Sequence, residues 1–90
     1  MNKEHKAFIK KNNVISTILD EDEIVVLDKD SDVYIGLVGA AKDVWSCKSE
    51  IISFPDVIKE LKIDDDIDIE NIKEAFHLLE KEGLILEYVI

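Results

Sequence analysis

The chain has 90 residues, of which 47% are hydrophobic and 36% charged, and 11 basic residues face 21 acidic ones for a formal net charge of −10. A chain of this length supports one domain with a small core, and its acidity and lack of arginine argue against nucleic-acid binding, which needs clustered cations and guanidinium contacts. No apolar run is long enough to span a bilayer and no charged-then-apolar leader begins the sequence, so we expect a cytoplasmic protein without membrane contact.

Residues 1–13 are predicted to form a mobile basic arm. They contain four lysines against one glutamate, and Phe8 and Ile9 are their only large apolar side chains after the first residue. Polar terminal segments of this kind are commonly poorly ordered. The folded domain is therefore expected to span residues 14–90.

Three β-type runs follow, at residues 14–19, 23–27 and 32–37. Apolar side chains recur at every second position, as in Ile24 and Val26, which is the spacing that places side chains on one face of a strand. Polar turns rich in acidic residues separate the runs. The pattern predicts a three-stranded antiparallel meander.

Two short helices are predicted after the meander. The first runs from residue 39 to about 48, where apolar residues recur at three- and four-residue steps and include the chain's only tryptophan, Trp45. The second begins at Ser53, which forms a capping-box pattern with the acidic Asp56 three residues later, and it ends near residue 62.

The third helix is predicted to begin at Asp68, a good N-cap residue, and to end before Gly83, a typical residue just beyond a helix end. Residues 84–90 form a closing apolar segment, in which the alternate residues Leu84, Leu86, Tyr88 and Ile90 fit either a short strand or a packed tail. The element order βββααα predicts an α+β fold in which a small helical bundle covers the apolar face of the sheet.

Two sets of residues carry a resemblance to a known family. The first set has the spacing of a strand-to-helix motif: Tyr34, Leu37, Ala41, Val44 and Trp45. The second matches a motif of the last helix and the segment after it: Ile72, Phe76, Leu79, Gly83, Leu84 and Ile85. In these residues the chain resembles the PqqD-like family, also called RiPP recognition elements, which bind leader peptides of ribosomally synthesised natural products. Val38, Asn71 and Ala75 depart from the family's usual residues.

The resemblance implies a winged-helix-like fold in which a precursor's leader peptide joins the sheet as an extra antiparallel strand beside the third run. It also implies a non-catalytic protein without a cofactor, monomeric or dimeric, that presents the peptide to a modifying enzyme such as a radical-SAM maturase, a leader peptidase or a cyclase. The implied peptide-binding residues lie on the third strand and the third helix: Asp32, Val33, Tyr34, Ile35, Gly36, Leu37, Ile72, Lys73, Phe76 and Leu79.

Other chemistries are weaker interpretations of the same residues. Trp45 lies on the apolar stripe of its helix and is expected to fill the core, whereas Tyr34 points to the opposite face from its strand neighbours and is a contact candidate. A catalytic pair of Cys47 and His77 would need an orienting third group and an oxyanion site, and the sequence indicates neither.

Two runs of alternating aspartates, at residues 28–32 and 64–68, mimic the start of a calcium loop. Both lack the glycine and the bidentate glutamate that such a loop requires at later positions. We therefore expect solvated acidic turns and no metal site.

Two functions of other classes remain open. A winged-helix DNA-binding regulator would share the expected strands and helices, although the acidic charge opposes it. A generic acidic interaction module for a folded protein is the other alternative, and a large exposed apolar patch would favour it.

Overall fold

The computed structural model of the protein describes residues 6–88. Its elements, in chain order, are β1 (Ala7–Lys10), β2 (Val14–Ile18), β3 (Glu23–Asp28), β4 (Val33–Val38), α1 (Gly39–Trp45), β5 (Ile51–Ser53), α2 (Phe54–Glu60), α3 (Asp66–Lys81) and β6 (Ile85–Tyr88). The first five residues of the predicted arm and the last two of the predicted closing segment lie outside the described residues. No helix within residues 6–88 is long and apolar enough to cross a membrane.

The three predicted strands form the antiparallel sheet β2-β3-β4. Its register aligns Ser16, Val26 and Ile35 across the three strands. Along β3 the side chains alternate between half-buried and buried, because successive strand side chains point to opposite faces. With three helices after it, this meander confirms the predicted α+β fold.

A second antiparallel sheet, β5-β1-β6, was not predicted. Its middle strand is β1, so the expectation of a mobile arm over residues 1–13 is wrong for residues 7–10. Phe8 in this strand is 8% exposed, and its ring centroid lies 5.5 Å from that of Phe76. The sheet joins segments that are distant in sequence, which a local pattern over four residues does not reveal.

The first two helices occur in the predicted order. α1 begins at Gly39, whose φ of +58° lies in the left-handed region that favours glycine, and it ends at Trp45, earlier than the predicted end near residue 48. The hydroxyl of Ser53 accepts a hydrogen bond of 3.3 Å from the backbone N–H of Asp56, so the predicted cap of α2 is confirmed.

The long helix α3 begins at Asp66 rather than at Asp68, with Asp65 as its N-cap residue. Gly83 lies just beyond its end with a φ of +76°, as predicted. The chain then enters β6, so the open choice for the closing segment resolves to a strand over Ile85–Tyr88.

One hydrophobic core joins residues from both sheets and all three helices. Its completely buried members include Leu37 of β4, Val44 of α1 and Leu79 of α3. Because α1 packs against both β4 and α3, it sets the separation between the strand and the long helix.

Candidate functional site

β4 lies at the edge of the meander. It pairs with β3 on one side, and no strand within residues 6–88 pairs with its other side. A strand edge of this kind presents backbone N–H and C=O groups that another extended chain can bind. Within residues 6–88, the strand that was predicted to receive a peptide therefore has an open edge.

The β2–β3 ladder indicates which backbone groups of β4 face this edge. The backbone N–H of Leu19 donates to the carbonyl of Glu23, and that of Lys29 donates to the carbonyl of Asn13, each at an N···O distance of 3.0 Å. Successive residues of a central antiparallel strand bond alternately to its two neighbours. Because Glu23 bonds to β2, the alternate set of β3 residues bonds to β4. This set is Ile24, Val26 and Asp28.

These inward-bonding residues of β3 pair with alternate residues of β4, namely Val33, Ile35 and Leu37. The N–H and C=O groups of the intervening residues Tyr34, Gly36 and Val38 therefore point to the open edge. Every second residue of β4 is thus available to the backbone of a guest strand.

The side chains of β4 divide between two faces. Leu37 is completely buried and Ile35 is half-buried, on the face that packs toward the core. Tyr34 and Val38 on the outer face are 70% and 60% exposed. Asp32 precedes the strand with a φ of +63°, within the β3–β4 turn. Among the predicted strand residues, Leu37 is the one whose side chain belongs to the core.

The predicted residues of α3 are mostly core residues. Ile72, Phe76 and Leu79 are at most 7% exposed and belong to the central cluster. Lys73 is half-buried, and its ammonium nitrogen lies 5.8 Å from the centroid of the Phe54 ring. The three apolar side chains hold the helix in place and do not face solvent.

A cleft of about 400 Å³ lies between the C-terminal end of β4 and α3. Its lining comes from β4, α1 and α3: Val38, Ala40, Ala41, Asn71, Glu74, Ala75 and Leu78. The α3 residues recur at three- and four-residue steps, so they form one stripe, which shares the buried Ala75 with the core and otherwise lies beside it. Leu78 is 41% exposed. It is an apolar residue that does not fit the spacing of the core residues of α3, and this mismatch is the feature of the sequence that indicates the cleft.

Two carboxylates give the edge an acidic environment. Glu74 lines the cleft, and Glu23 of β3 is the cross-strand neighbour of Val38. Neither forms an ion pair with another residue of the 6–88 segment. Electrostatic attraction would therefore favour a guest with positive charge.

An ion pair fixes the turn that precedes β4. The ammonium nitrogen of Lys11 lies 2.9 Å from Asp28 and 3.3 Å from Asp30. Asp28, only 6% exposed, also accepts a hydrogen bond from the backbone N–H of Asp30. The bond between Lys11 and Asp28 lowers the pKa of the carboxyl and raises the pKa of the ammonium group. The segment between β1 and β2 is thereby tied to the end of β3 and to the β3–β4 turn.

The environment of Cys47 does not favour a nucleophile. Its side chain is 4% exposed, and burial raises the pKa of the thiol to about 11. The thiol is therefore protonated at neutral pH, and a thiol is a much weaker nucleophile than a thiolate. Within the described residues, no group of three or more histidine, cysteine, aspartate or glutamate side chains is arranged to hold a metal ion.

Comparison with known proteins identifies a shared fold. No protein-family profile and no curated protein matches the chain. Among solved structures, it is similar to TbiB1 in complex with the TbiA(beta) leader peptide, with 19% sequence identity and a TM-score of 0.69. The similarity covers 91% of this chain and 99% of that chain. The chain therefore shares nearly its whole fold with a protein whose solved structure contains a leader peptide.

Proposed function

We propose that this protein is a non-catalytic peptide-binding module that binds the leader of a ribosomally synthesised precursor at the β4 edge and presents the precursor to a modifying enzyme. The observation that carries the proposal is the open edge of β4 beside the cleft against α3. A peptide bound there would add a fourth strand to the meander and place some of its side chains in the cleft.

The fold is a second line of support. TbiB1 has the same fold and was solved with a leader peptide, and the motif residues of this chain resemble those of the PqqD-like family. Because one fold can host unrelated functions, the argument depends first on the edge and the cleft.

Backbone and side chains have separate tasks in this proposal. The outward N–H and C=O groups of Tyr34, Gly36 and Val38 bind the peptide backbone whatever its sequence. Ala75 and Leu78 give the cleft an apolar lining that selects a peptide side chain. The residues of β4 that bond to β3 hold the edge in place.

In this proposal the partner enzyme carries out the catalysis. It is a radical-SAM maturase, a leader peptidase or a cyclase. Binding the leader tethers the rest of the precursor near the enzyme and so raises its effective concentration. This task needs no cofactor in the binding module. We place it in the cytoplasm, where ribosomal precursors are made.

A proline at Tyr34 tests the proposal. Tyr34→Pro removes an outward N–H without removing a hydrogen bond to β3, and edge strands tolerate proline at such positions. Tyr34→Ala is the matched control, because it loses the same side chain and keeps the N–H. Proline at Ile35 would instead remove a bond to β3, so it would test folding rather than binding.

The probe is a peptide selected from a random-sequence library on the immobilised full chain, with its Kd measured by calorimetry. We expect Tyr34→Pro to bind about tenfold or more weakly than Tyr34→Ala, which corresponds to roughly 1.4 kcal/mol. If circular dichroism shows that both variants are folded and their affinities are equal, binding at this edge is contradicted.

A second candidate function, an interaction module for a folded protein, is favoured by one observation. Ile18 and Leu19, at the opposite edge of the meander, are 73% and 57% exposed. Exposed apolar groups of this kind can mark a protein interface. Ile18→Lys should abolish such an interaction and leave the binding of peptides to β4 unchanged.

A further inference from the structure

Gly36 leaves a gap on the outer face of β4, and a carboxylate borders this gap. A Cβ atom added at Gly36 would lie 3.3 Å from the Oε2 atom of Glu23, so the Glu23 side chain leans from β3 toward the glycine. Glycine weakens a strand interior and often marks a place where another group approaches closely. The gap and the carboxylate both lie next to the open edge.

The charge of Glu23 is not neutralised within the described part of the chain. Its side chain is half-buried and forms no ion pair with residues 6–88. A partly desolvated carboxylate without a counter-ion favours the approach of a cation. The net charge of −10 adds a long-range attraction for a basic peptide.

A guest strand on β4 would place one residue directly opposite Gly36. The Cβ positions of such cross-strand neighbours are about 4.5–5.5 Å apart, and their side chains share one face of the sheet. Because Gly36 has no side chain, a long guest side chain can cross the strand to Glu23. Tyr34 lies on the same face two residues away, and its exposed ring can stack on a cation.

We propose that the bound peptide carries an arginine or lysine opposite Gly36 and that Glu23 selects this residue. The inference rests on the proposed function, because it places the peptide at β4. Arginine fits better than lysine, since its planar guanidinium can form two parallel hydrogen bonds with a carboxylate and stack on an aromatic ring.

Charge reversal tests the pairing directly. Random-sequence peptides are selected on the immobilised full chain. The selected peptides should share a basic residue at one fixed position of the extended segment that pairs with β4. Glu23→Lys should weaken their binding about tenfold or more, and replacing the basic residue of the peptide by glutamate should restore it. Glu21→Lys, in the exposed turn before β3, makes the same change in net charge and is the matched control.

Closing the gap is an independent test. Gly36→Val covers the path to Glu23, and valine is well suited to a strand. This variant should remain folded and bind the basic peptide more weakly. Its loss of affinity for a version of the peptide with alanine at the basic position should be smaller.

The outcomes separate this inference from the proposed function. Loss of binding in Glu23→Lys, with recovery by the charge-reversed peptide, supports the pairing. If peptides depend on the Tyr34 N–H but bind Glu23→Lys and Glu21→Lys equally, the selection by Glu23 is wrong and the peptide-binding proposal stands. If Tyr34→Pro binds as well as Tyr34→Ala, both are wrong.

Discussion

The ammonium nitrogen of Lys10 in β1 lies 2.9 Å from the carbonyl oxygen of Trp45, the last residue of α1. It also donates to the carbonyl of Cys47 and lies 5.6 Å from the centroid of the Trp45 ring. A lysine from the second sheet thus binds carbonyl groups at the C-terminal end of α1, where cations are favourable. Since α1 packs against β4 and α3, β1 helps to hold the candidate site.

Replacing Lys10 by methionine should destabilise the fold. The change keeps most of the apolar stem and leaves the carbonyls of Trp45 and Cys47 without their lysine donor, at a cost of about 1–3 kcal/mol. Urea denaturation followed by circular dichroism measures the free energy of unfolding. Lys29→Met, at an exposed turn residue, should change it little, and an equally stable Lys10→Met would show that this contact is unimportant.

Deleting residues 1–10 should also destabilise the protein strongly. The deletion removes the middle strand of the second sheet, together with the contact between Phe8 and Phe76. A cooperative unfolding transition at a much lower urea concentration is the expected result. A mobile arm would instead be removable without effect, so an unchanged transition would contradict the packing of β1.

The ion pair of Asp28 predicts a specific loss of stability in acid. The folded-state pKa of Asp28 lies below its ordinary value of 3.8, so the folded state binds fewer protons than the unfolded chain between these two values. The stabilisation is fully present above pH 3.8 and is lost as the pH falls through the lower value.

Urea midpoints measured from neutral pH into acid should therefore fall less steeply in Asp28→Asn than in the unchanged protein. Asp64→Asn, at an exposed loop residue, is the matched control and should follow the unchanged protein. Identical acid profiles for Asp28→Asn and Asp64→Asn would contradict the assigned role of Asp28.

The same ion pair also predicts a loss of stability in alkali. Because the pKa of Lys11 is raised, its contribution to stability is fully present below pH 10.5 and is lost as the pH rises through the raised value.

Leu78→Asp should weaken peptide binding without unfolding the protein. Leu78 is 41% exposed and lines the cleft, so the change places a charge where an apolar peptide side chain is expected. Its cost in stability should be about 1 kcal/mol, because aspartate is a poorer helix former than leucine and repels Glu74 four residues before it, while Kd for a selected peptide rises about tenfold or more. Leu86→Asp on β6, where Leu86 is 57% exposed, should leave Kd unchanged.

The sequence predicted those elements whose causes are local. Alternation over β3 and β4 indicated the meander, and the pairing of Ser53 with Asp56 indicated the start of α2. The second sheet depends on pairing between segments that are distant in sequence, and strands as short as β5 have too few residues to show a period.

The candidate site was predicted in its strand and only partly in its helix. On α3 the apolar spacing identified Ile72, Phe76 and Leu79, and the same spacing makes them core residues. Residues that border a core stripe, such as Asn71 and Leu78, line the cleft. Spacing along a single helix does not reveal which border faces a neighbouring strand, because that depends on the packing of α1.

Amide hydrogen exchange followed by NMR, with and without a selected peptide, tests the central claim most directly. In the free protein, the amides of Val33, Ile35 and Leu37 should already be protected by their bonds to β3. Binding should newly protect the amides of Tyr34, Gly36 and Val38, which face the open edge. Saturating peptide that leaves these three amides exchanging as fast as in the free protein would contradict strand addition at β4.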